Sequence, residues 1–376
     1  MILKTYSIFG FNILFELDES SEASILIDEL SSYPEQESAI PDLTIKYKSS
    51  KNKVNDVIAN NPSSHFLHSN GFSMKTINIT SRFIFDNQIL KRIVFSFNRK
   101  NPGIGQKTFR KWKHIQFLNE RESIGQIVHE MLMVPLNLFF TNKSIIHSSA
   151  VLSKKGKLLM FGGTGGVGKT SLELELCRNY DCSFFADDIC ISDNSGNVYP
   201  NLSFPKIYGY NLINDEKLKK ELISNKNLFD NLHWKLHGLR GLDKVRRRIS
   251  PSTIYNDVTN DTQQICSFFI LNRTSVNQIE FKEIDNRFSS LLNTEVIKSE
   301  YQIVFQHLFW YKYNSLIKNQ EEFNSFESVM KKNTEVFADS LNKAGAKSYI
   351  INIPIQLTNT EMKKQISAYL KKLDLL

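Results

Sequence analysis

The chain has 376 residues, 41% of them apolar, with 27 Phe and 13 Tyr spread along it, which supplies a sizeable core and excludes wholesale disorder. Its length favours two domains, or one large domain with an appendage. No run of ~18 uncharged apolar residues is present, so no membrane span is expected, and the net charge of +8 favours an anionic partner.

The first ten residues lack the basic, apolar and small-residue succession of a signal peptide and are expected to form a strand. Tyr6 to Phe15 is strand-like, followed by polar, Ser-rich sequence. Asn52 to Ser69 has the texture of a loop, with Asn60-Asn61-Pro62 as a turn. Alternation at Met74–Thr80, Arg82–Asp86 and Arg92–Phe97 predicts antiparallel strands with one polar face. Ser123 to Phe140 is apolar at helical spacing through Ile124, Ile127, Val128, Met131, Leu132 and Leu136, with Pro135 kinking or ending the helix. Residues 1–140 are therefore expected to be an α+β module without recognisable chemistry, and 141–376 a second domain.

From His147 the texture changes. Ser148–Leu152 predicts a strand, Lys154-Lys-Gly-Lys a hairpin turn and Leu158–Phe161 a short buried strand. A glycine-rich loop follows, then a helix over Thr170–Arg178 and a buried strand over Cys182–Ala186 that ends at Asp187-Asp188. Asp193–Asn197 is a turn, Val198 opens a strand, and Lys217–His237 is a charged, helix-prone insertion within about 212–240. Ile265–Leu271 predicts a core strand, Phe288–Lys318 and Glu322–Ala344 helices, Ser348–Ile353 a late strand and Glu361–Leu376 a last amphipathic helix. The four cysteines, Cys177, Cys182, Cys190 and Cys266, form no C-x-x-C pair and are expected to be buried thiols in a reducing cytoplasm.

The loop Gly163-Thr164-Gly165-Gly166-Val167-Gly168-Lys169-Thr170 has the spacing G-x-x-x-x-G-K-T, between a strand and a helix, which is the context the motif requires. Glycines let the backbone curl around phosphate oxygens without Cβ clashes. The helix start adds the positive end of its dipole. Lys169 reaches phosphates as a point charge, Thr170 offers its hydroxyl to Mg²⁺, and Ser171 completes the nucleotide-binding stretch. A nucleoside triphosphate with magnesium, ATP and Mg²⁺, is the expected ligand.

Asp187 lies 18 positions after Lys169 at the end of an apolar strand. Two adjacent carboxylates beside one triphosphate can divide the work, one approaching an acceptor hydroxyl as general base and the other holding the metal or its water. A strand would point them to opposite faces unless it has already ended. The bland alternative is an Asp-Asp turn. Lys244-Val-Arg246-Arg247-Arg248 is either a solvated charged face or a set of guanidinium forks for a phosphate or an acidic substrate. Nucleic acid is disfavoured, because aromatic-plus-basic recognition motifs are absent.

The stretch from His147 to Tyr210 resembles the bacterial HPr kinase/phosphorylase group and its kinase-like relatives. The resemblance rests on His147-Ser-Ser-Ala-Val-Leu, on Leu158-Leu-Met-Phe-Gly-Gly-Thr-Gly-Gly-Val-Gly-Lys-Thr-Ser-Leu and on Phe185-Ala-Asp-Asp. It implies a phosphoenolpyruvate-carboxykinase-like α/β nucleotide fold and phosphoryl transfer from ATP to a serine-type hydroxyl of a peptide, protein or small molecule. Carried over by position, Lys169 would hold the phosphates, Thr170 and Asp188 the metal, and Asp187 would be the base. His147 would lie close to the nucleotide; the alternative for it is a satisfied histidine at a strand start. The group's second signature is matched only by Gly238-Leu-Arg-Gly-Leu-Asp, without its leading acid, and gives Arg240 as a candidate cation for the transition state. The missing acid sets both HPr as substrate and the reverse, phosphate-removing reaction in doubt. Competing with a kinase are an ATPase or nucleotide-dependent switch without an acceptor, a carboxykinase-type enzyme, whose extra metal-ligating His and Lys are not found, and a non-catalytic binding protein. A homo-oligomer is left open.

Overall fold

A computed structural model describes residues 1–50, 54–61, 64–98, 120–213, 215–224, 228–319 and 324–376, with backbone alone at 120–122, 224 and 229. It is a mixed α/β structure with two large sheets and one small one.

The first sheet is built from β1 (Ile2–Ile8), β2 (Phe11–Leu17), β3 (Leu43–Tyr47), β4 (Ala59–Asn61), β5 (His65–His68), β6 (Gly71–Lys75), β7 (Ile79–Asp86) and β8 (Ile89–Phe97), in the order β1-β2-β3-β8-β7-β6-β5-β4. The expected single strand over Tyr6–Phe15 is a hairpin. Phe9 and Gly10 both take positive φ (55° and 77°), the conformation a two-residue turn between twisted strands needs. The polar stretch after it holds α1 (Ser21–Leu30), whose Ser20 side chain caps the Ala23 N–H. Part of the expected loop over Asn52–Ser69 is the β4–β5 hairpin; Pro62 lies outside the described residues.

Between the sheets, α2 (Glu120–Val128) runs into a π-helical turn at His129–Met133 and a 3₁₀ turn at Pro135–Phe139. Pro135 removes an N–H from the ladder and the helix changes pitch there instead of continuing.

The second sheet contains β9 (Lys143–Ile146), β10 (Ser148–Leu152), β11 (Leu158–Gly162), β12 (Ser183–Ala186), β13 (Cys190–Asp193), β14 (Asn197–Tyr199), β17 (Gln263–Thr274), β18 (Glu280–Ile284) and β19 (Lys347–Pro354), with β15 (Lys206–Tyr208) and β16 (Arg246–Arg248) forming a separate antiparallel pair. β17 is the hub: it lies parallel between β11 and β19, and its first residues pair with β14. The longer helices here are α3 (Lys169–Asn179), α4 (Leu228–Gly238), α5 (Asn286–Glu300), α6 (Gln302–Ile317), α7 (Phe326–Lys343) and α8 (Asn359–Lys372). The stretch expected over Phe288–Lys318 is broken at Tyr301 into α5 and α6, α4 covers only the end of the expected Lys217–His237, and the expected start at Glu322 lies outside the described residues. Cys177, Cys182 and Cys190 are buried thiols and Cys266 is half-buried. Among the described residues no helix is long and apolar enough to cross a membrane.

The two large sheets meet through buried polar contacts as well as a shared apolar core. Tyr33 donates its hydroxyl to Asn201 (3.1 Å) and accepts the Leu202 N–H, and Glu29 of α1 pairs with Arg248 of β16.

Candidate functional site

β11 delivers the chain into the glycine loop and α3 leads it out. Gly163 (φ 124°), Gly166 (φ 79°) and Gly168 (φ 111°) take backbone conformations that L side chains rarely adopt. A Cβ on Gly163 would also stand 2.5 Å from the Leu271 carbonyl oxygen, so β17 packs against the loop too closely for any other residue. A Cβ on Gly166 would meet nothing within 4 Å, and one on Gly165 only the Glu300 carboxylate at 4.0 Å. The side-chain directions of Gly165 and Gly166 therefore face open space. Gly168 begins α3 without a capping side chain, which leaves the first-turn N–H groups to an external acceptor.

Lys169 folds back over the loop, its Nζ donating to the carbonyls of Gly163 and Thr164 at 3.0 Å each. It is 7% exposed; burial lowers its pKa from the usual lysine value, against the pull of Asp188 and Asp187. Thr170 donates its hydroxyl to Asp187 Oδ1 (2.8 Å), and Ser149 of β10 donates to the same oxygen (3.0 Å). Asp187 Oδ2 accepts the Lys206 N–H at 3.2 Å. Ser171 is turned away, accepting from Asn211 Nδ2 at 2.9 Å.

β12 ends at Ala186, so the acidic pair escapes strand alternation. Asp188 takes φ 70°, and the Ile189 N–H bonds back to the Asp187 carbonyl (2.9 Å), which makes Asp188 the centre of a tight positive-φ γ-turn. Such strain collects at functional sites. Asp188 Oδ1 bonds His147 Nε2 (3.0 Å), and Oδ2 accepts from Lys206 Nζ (2.7 Å). Lys206 also meets Glu130 at 2.6 Å. His147 is itself held by a backbone bond to Asn293 Oδ1 of α5 (2.9 Å).

The two carboxyls differ in character. Asp187 is 5% exposed, and burial, reinforced by Asp188, raises its pKa above the usual carboxylate value. Asp188 keeps 40% of its side-chain exposure. Crowding by the protein opposes its charge, but Lys206, His147 and Lys169 outweigh that and hold it well below the usual range. Lys206 is pushed above the usual lysine value, because Asp188 and Glu130 overcome its desolvation. Behind Asp187, the buried Glu173 of α3 accepts from the Tyr255 hydroxyl, and burial, reinforced by the Asp187 charge, raises its pKa well above the usual carboxylate value.

The structure thus brings together Lys169, Thr170, Asp187, Asp188 and His147. Arg240 is not among them: it is exposed in the turn after α4, its N–H bonded to the His237 carbonyl. Of the basic run, Lys244 is solvated, with 58% of its side chain exposed, but Arg246, Arg247 and Arg248 are not a solvated face, being only 5–7% exposed. Arg248 pairs with Glu29, Arg247 lies over Trp234, and Arg246 donates to the Tyr208 hydroxyl (2.9 Å) and toward Gln126 (3.5 Å), on the Lys206 side of the site. Lys206 and Glu130 were missed by sequence reasoning. Lys206 opens β15 after Pro205, and no spacing rule singles it out; Glu130 sits in a helix expected to be purely structural.

No family model matches the chain, and no curated protein does. Among solved structures, an HPr(Ser) kinase/phosphatase from Coxiella burnetii aligns over 61% of this chain and 99% of its own, at 12% identity and a TM-score of 0.26. The similarity is weak, and a superposition that loose fixes neither fold nor activity.

Proposed function

We propose that the protein is an ATP- and Mg²⁺-dependent kinase that transfers the γ-phosphoryl group to a serine-type hydroxyl. The observation that carries this reading is the contact between Thr170 and Asp187, because it sets a carboxylate pair directly against a phosphate-type loop. The residues fit the ligand. The positive-φ glycines of the loop, the open space beside Gly165 and Gly166, the uncapped start of α3 and Lys169 suit a polyphosphate. Thr170 and Asp187 present hard oxygens, the donor type magnesium takes, and magnesium sites are usually completed by phosphates and water. Bound there, the metal would neutralise charge on the phosphates.

Each residue then has a task. Lys169 leaves the loop carbonyls for phosphate oxygens. Asp187, buried beside Thr170, serves the metal side. Asp188 lies nearer solvent and ionised; its low basicity suits it to orient an incoming alcohol and to take its proton only as the new O–P bond forms in a loose transition state, while Lys206 offsets charge on the transferring group. This exchanges the roles expected from sequence for the two aspartates, because Thr170 reaches Asp187 and not Asp188. His147 orients Asp188.

The test is incubation with γ-labelled ATP, Mg²⁺ and a panel of hydroxyl-bearing peptides, proteins and free serine. Label in an acid-stable phosphoester is the expected result. Label released solely as inorganic phosphate across the panel would instead identify an ATPase or switch.

A further inference from the structure

Helix α6 is apolar on both sides, a pattern that belongs to buried helices. One side is buried through Val304, Phe305, His307, Leu308 and Tyr311. The other is open: Ile303 is 55% exposed, Phe309 47%, Trp310 36%, Tyr313 52%, Leu316 61% and Ile317 57%. Phe309, Tyr313 and Ile317 lie four apart, Trp310, Tyr313 and Leu316 three apart, and Ile303 two turns before Trp310, so the six share one face of the helix. The one exposed polar residue between them, Gln306, is uncharged, and the exposed Lys318 follows only at the helix end. The one Lys in α6, Lys312, stands at the flank and is paired with Glu327 at 3.1 Å.

Six half-exposed side chains of this size present on the order of 600 Å² of apolar surface. That is the upper end of the apolar patch of about 300–600 Å² that a typical monomer leaves open, and patches of that size are often functional. A stable interface buries roughly 800 Å² on each partner, so this stripe with its polar rim is of the right size. Its lack of charge says what fits it. A partner chosen by electrostatics would find little to recognise, whereas two copies of a chain of net charge +8 repel each other least across an uncharged face. A two-fold axis across the stripe sets apolar side chains against apolar side chains and repeats each contact twice.

We infer that the exposed stripe of α6, centred on Trp310 and Tyr313, is a homodimer interface on which two copies of this chain pack α6 against α6. The inference is independent of the phosphoryl-transfer reading, since none of the six residues belongs to the nucleotide site.

Sedimentation equilibrium of the full chain tests it. The wild type is expected to dimerise, at twice the 43.4 kDa chain mass. The double variant Tyr313→Glu/Leu316→Glu, with unchanged circular dichroism and melting temperature, is expected to weaken dimerisation roughly 100-fold or more. The pair Leu228→Glu/Leu232→Glu, on the exposed side of α4, is expected to leave it intact. The inference is overturned by a wild type that stays monomeric at about 100 μM. It is overturned equally by association that survives the α6 variant or is lost in the α4 variant. Co-sedimentation of a monomeric wild type with neutral phosphatidylcholine vesicles would assign the stripe to a lipid surface and also overturn it.

Discussion

Asp187 and Asp188 are adjacent in sequence, yet one carboxyl is pushed up by burial and the other is held down by Lys206 and His147. The γ-turn at Asp188 makes the division geometric: without its positive φ, the second carboxylate would not turn toward Lys206. Asn tolerates positive φ nearly as well as Asp, so amide substitution tests charge without disturbing the turn. Lys169→Ala is expected to abolish the rise in melting temperature that ATP with Mg²⁺ gives the wild type, by removing the phosphate contact. Asp188→Asn is expected to keep that rise while lowering transfer by about 10² to 10⁴. Asp187→Asn is expected to lose the part of the rise that depends on Mg²⁺. Thermal-shift titrations beside the transfer assay separate the three. An Asp188→Asn enzyme with wild-type transfer would remove Asp188 as the base, and an unaltered Mg²⁺ dependence in Asp187→Asn would return that residue to the role expected from sequence.

At the scale of elements, β16 is unusual in burying three consecutive arginines, and each is accommodated by a different element. Arg248 is held by Glu29 of α1, and both are about 95% or more buried. Breaking a buried pair from one side leaves an uncompensated charge, which costs about 3–5 kcal/mol. Arg248→Met is therefore expected to lower stability by that amount in urea unfolding, and Glu29→Leu in the same chain to restore most of it. Equal losses in the single and double variants would show that the pairing itself matters little. This contact also marks where sequence reasoning stops. The β10–β11 hairpin, the glycine loop and α3 were legible because each is local: a turn, a motif and a helical spacing lie within contiguous residues. α1 carried a legible signal too, a Ser20 cap followed by Ala23, Leu26 and Leu30, but its Ser-rich surroundings obscured it. The fates of Arg246, Arg247 and Arg248 were not legible, because partners on other elements decide them: Glu29, more than two hundred residues away, for Arg248, Tyr208 and Gln126 for Arg246, and Trp234 and His233 of α4 for Arg247. Lys206 and Glu130 entered the site in the same way, brought together from β15 and the π-helical turn by tertiary packing and not by any local spacing.

Across the whole molecule, the first sheet is tied to α6 by a buried polar contact as well as by apolar packing. His65 of β5 and His307 of α6 stack with ring centroids 5.4 Å apart and Nδ1 atoms 3.2 Å apart. Asn314 donates to Asn61 beside them, and Phe72 packs on Tyr311. Two imidazoles this close share at most one bridging proton when both are neutral, and burial disfavours charging either. Burial, with His307 and His68 adding to it, lowers His65 to about 3, and burial lowers His307 to about 4. Both lie below the histidine value of 6.5, so the unfolded chain takes up protons first as the solution is acidified. The stability these residues contribute is complete above pH 6.5 and is lost progressively as the pH falls from there toward 4 and then 3. For His307 alone the loss between pH 7 and pH 5 is on the order of 2 kcal/mol. His129, buried and lowered to about 3, acts in the same direction, so the wild-type slope sums several groups. Urea unfolding of wild type and His307→Asn at pH 7, 6 and 5 isolates the pair: the variant starts less stable but is expected to lose less on acidification. Parallel slopes would mean that the contact between the first sheet and α6 does not sense protons, and that the acid sensitivity of the fold arises elsewhere.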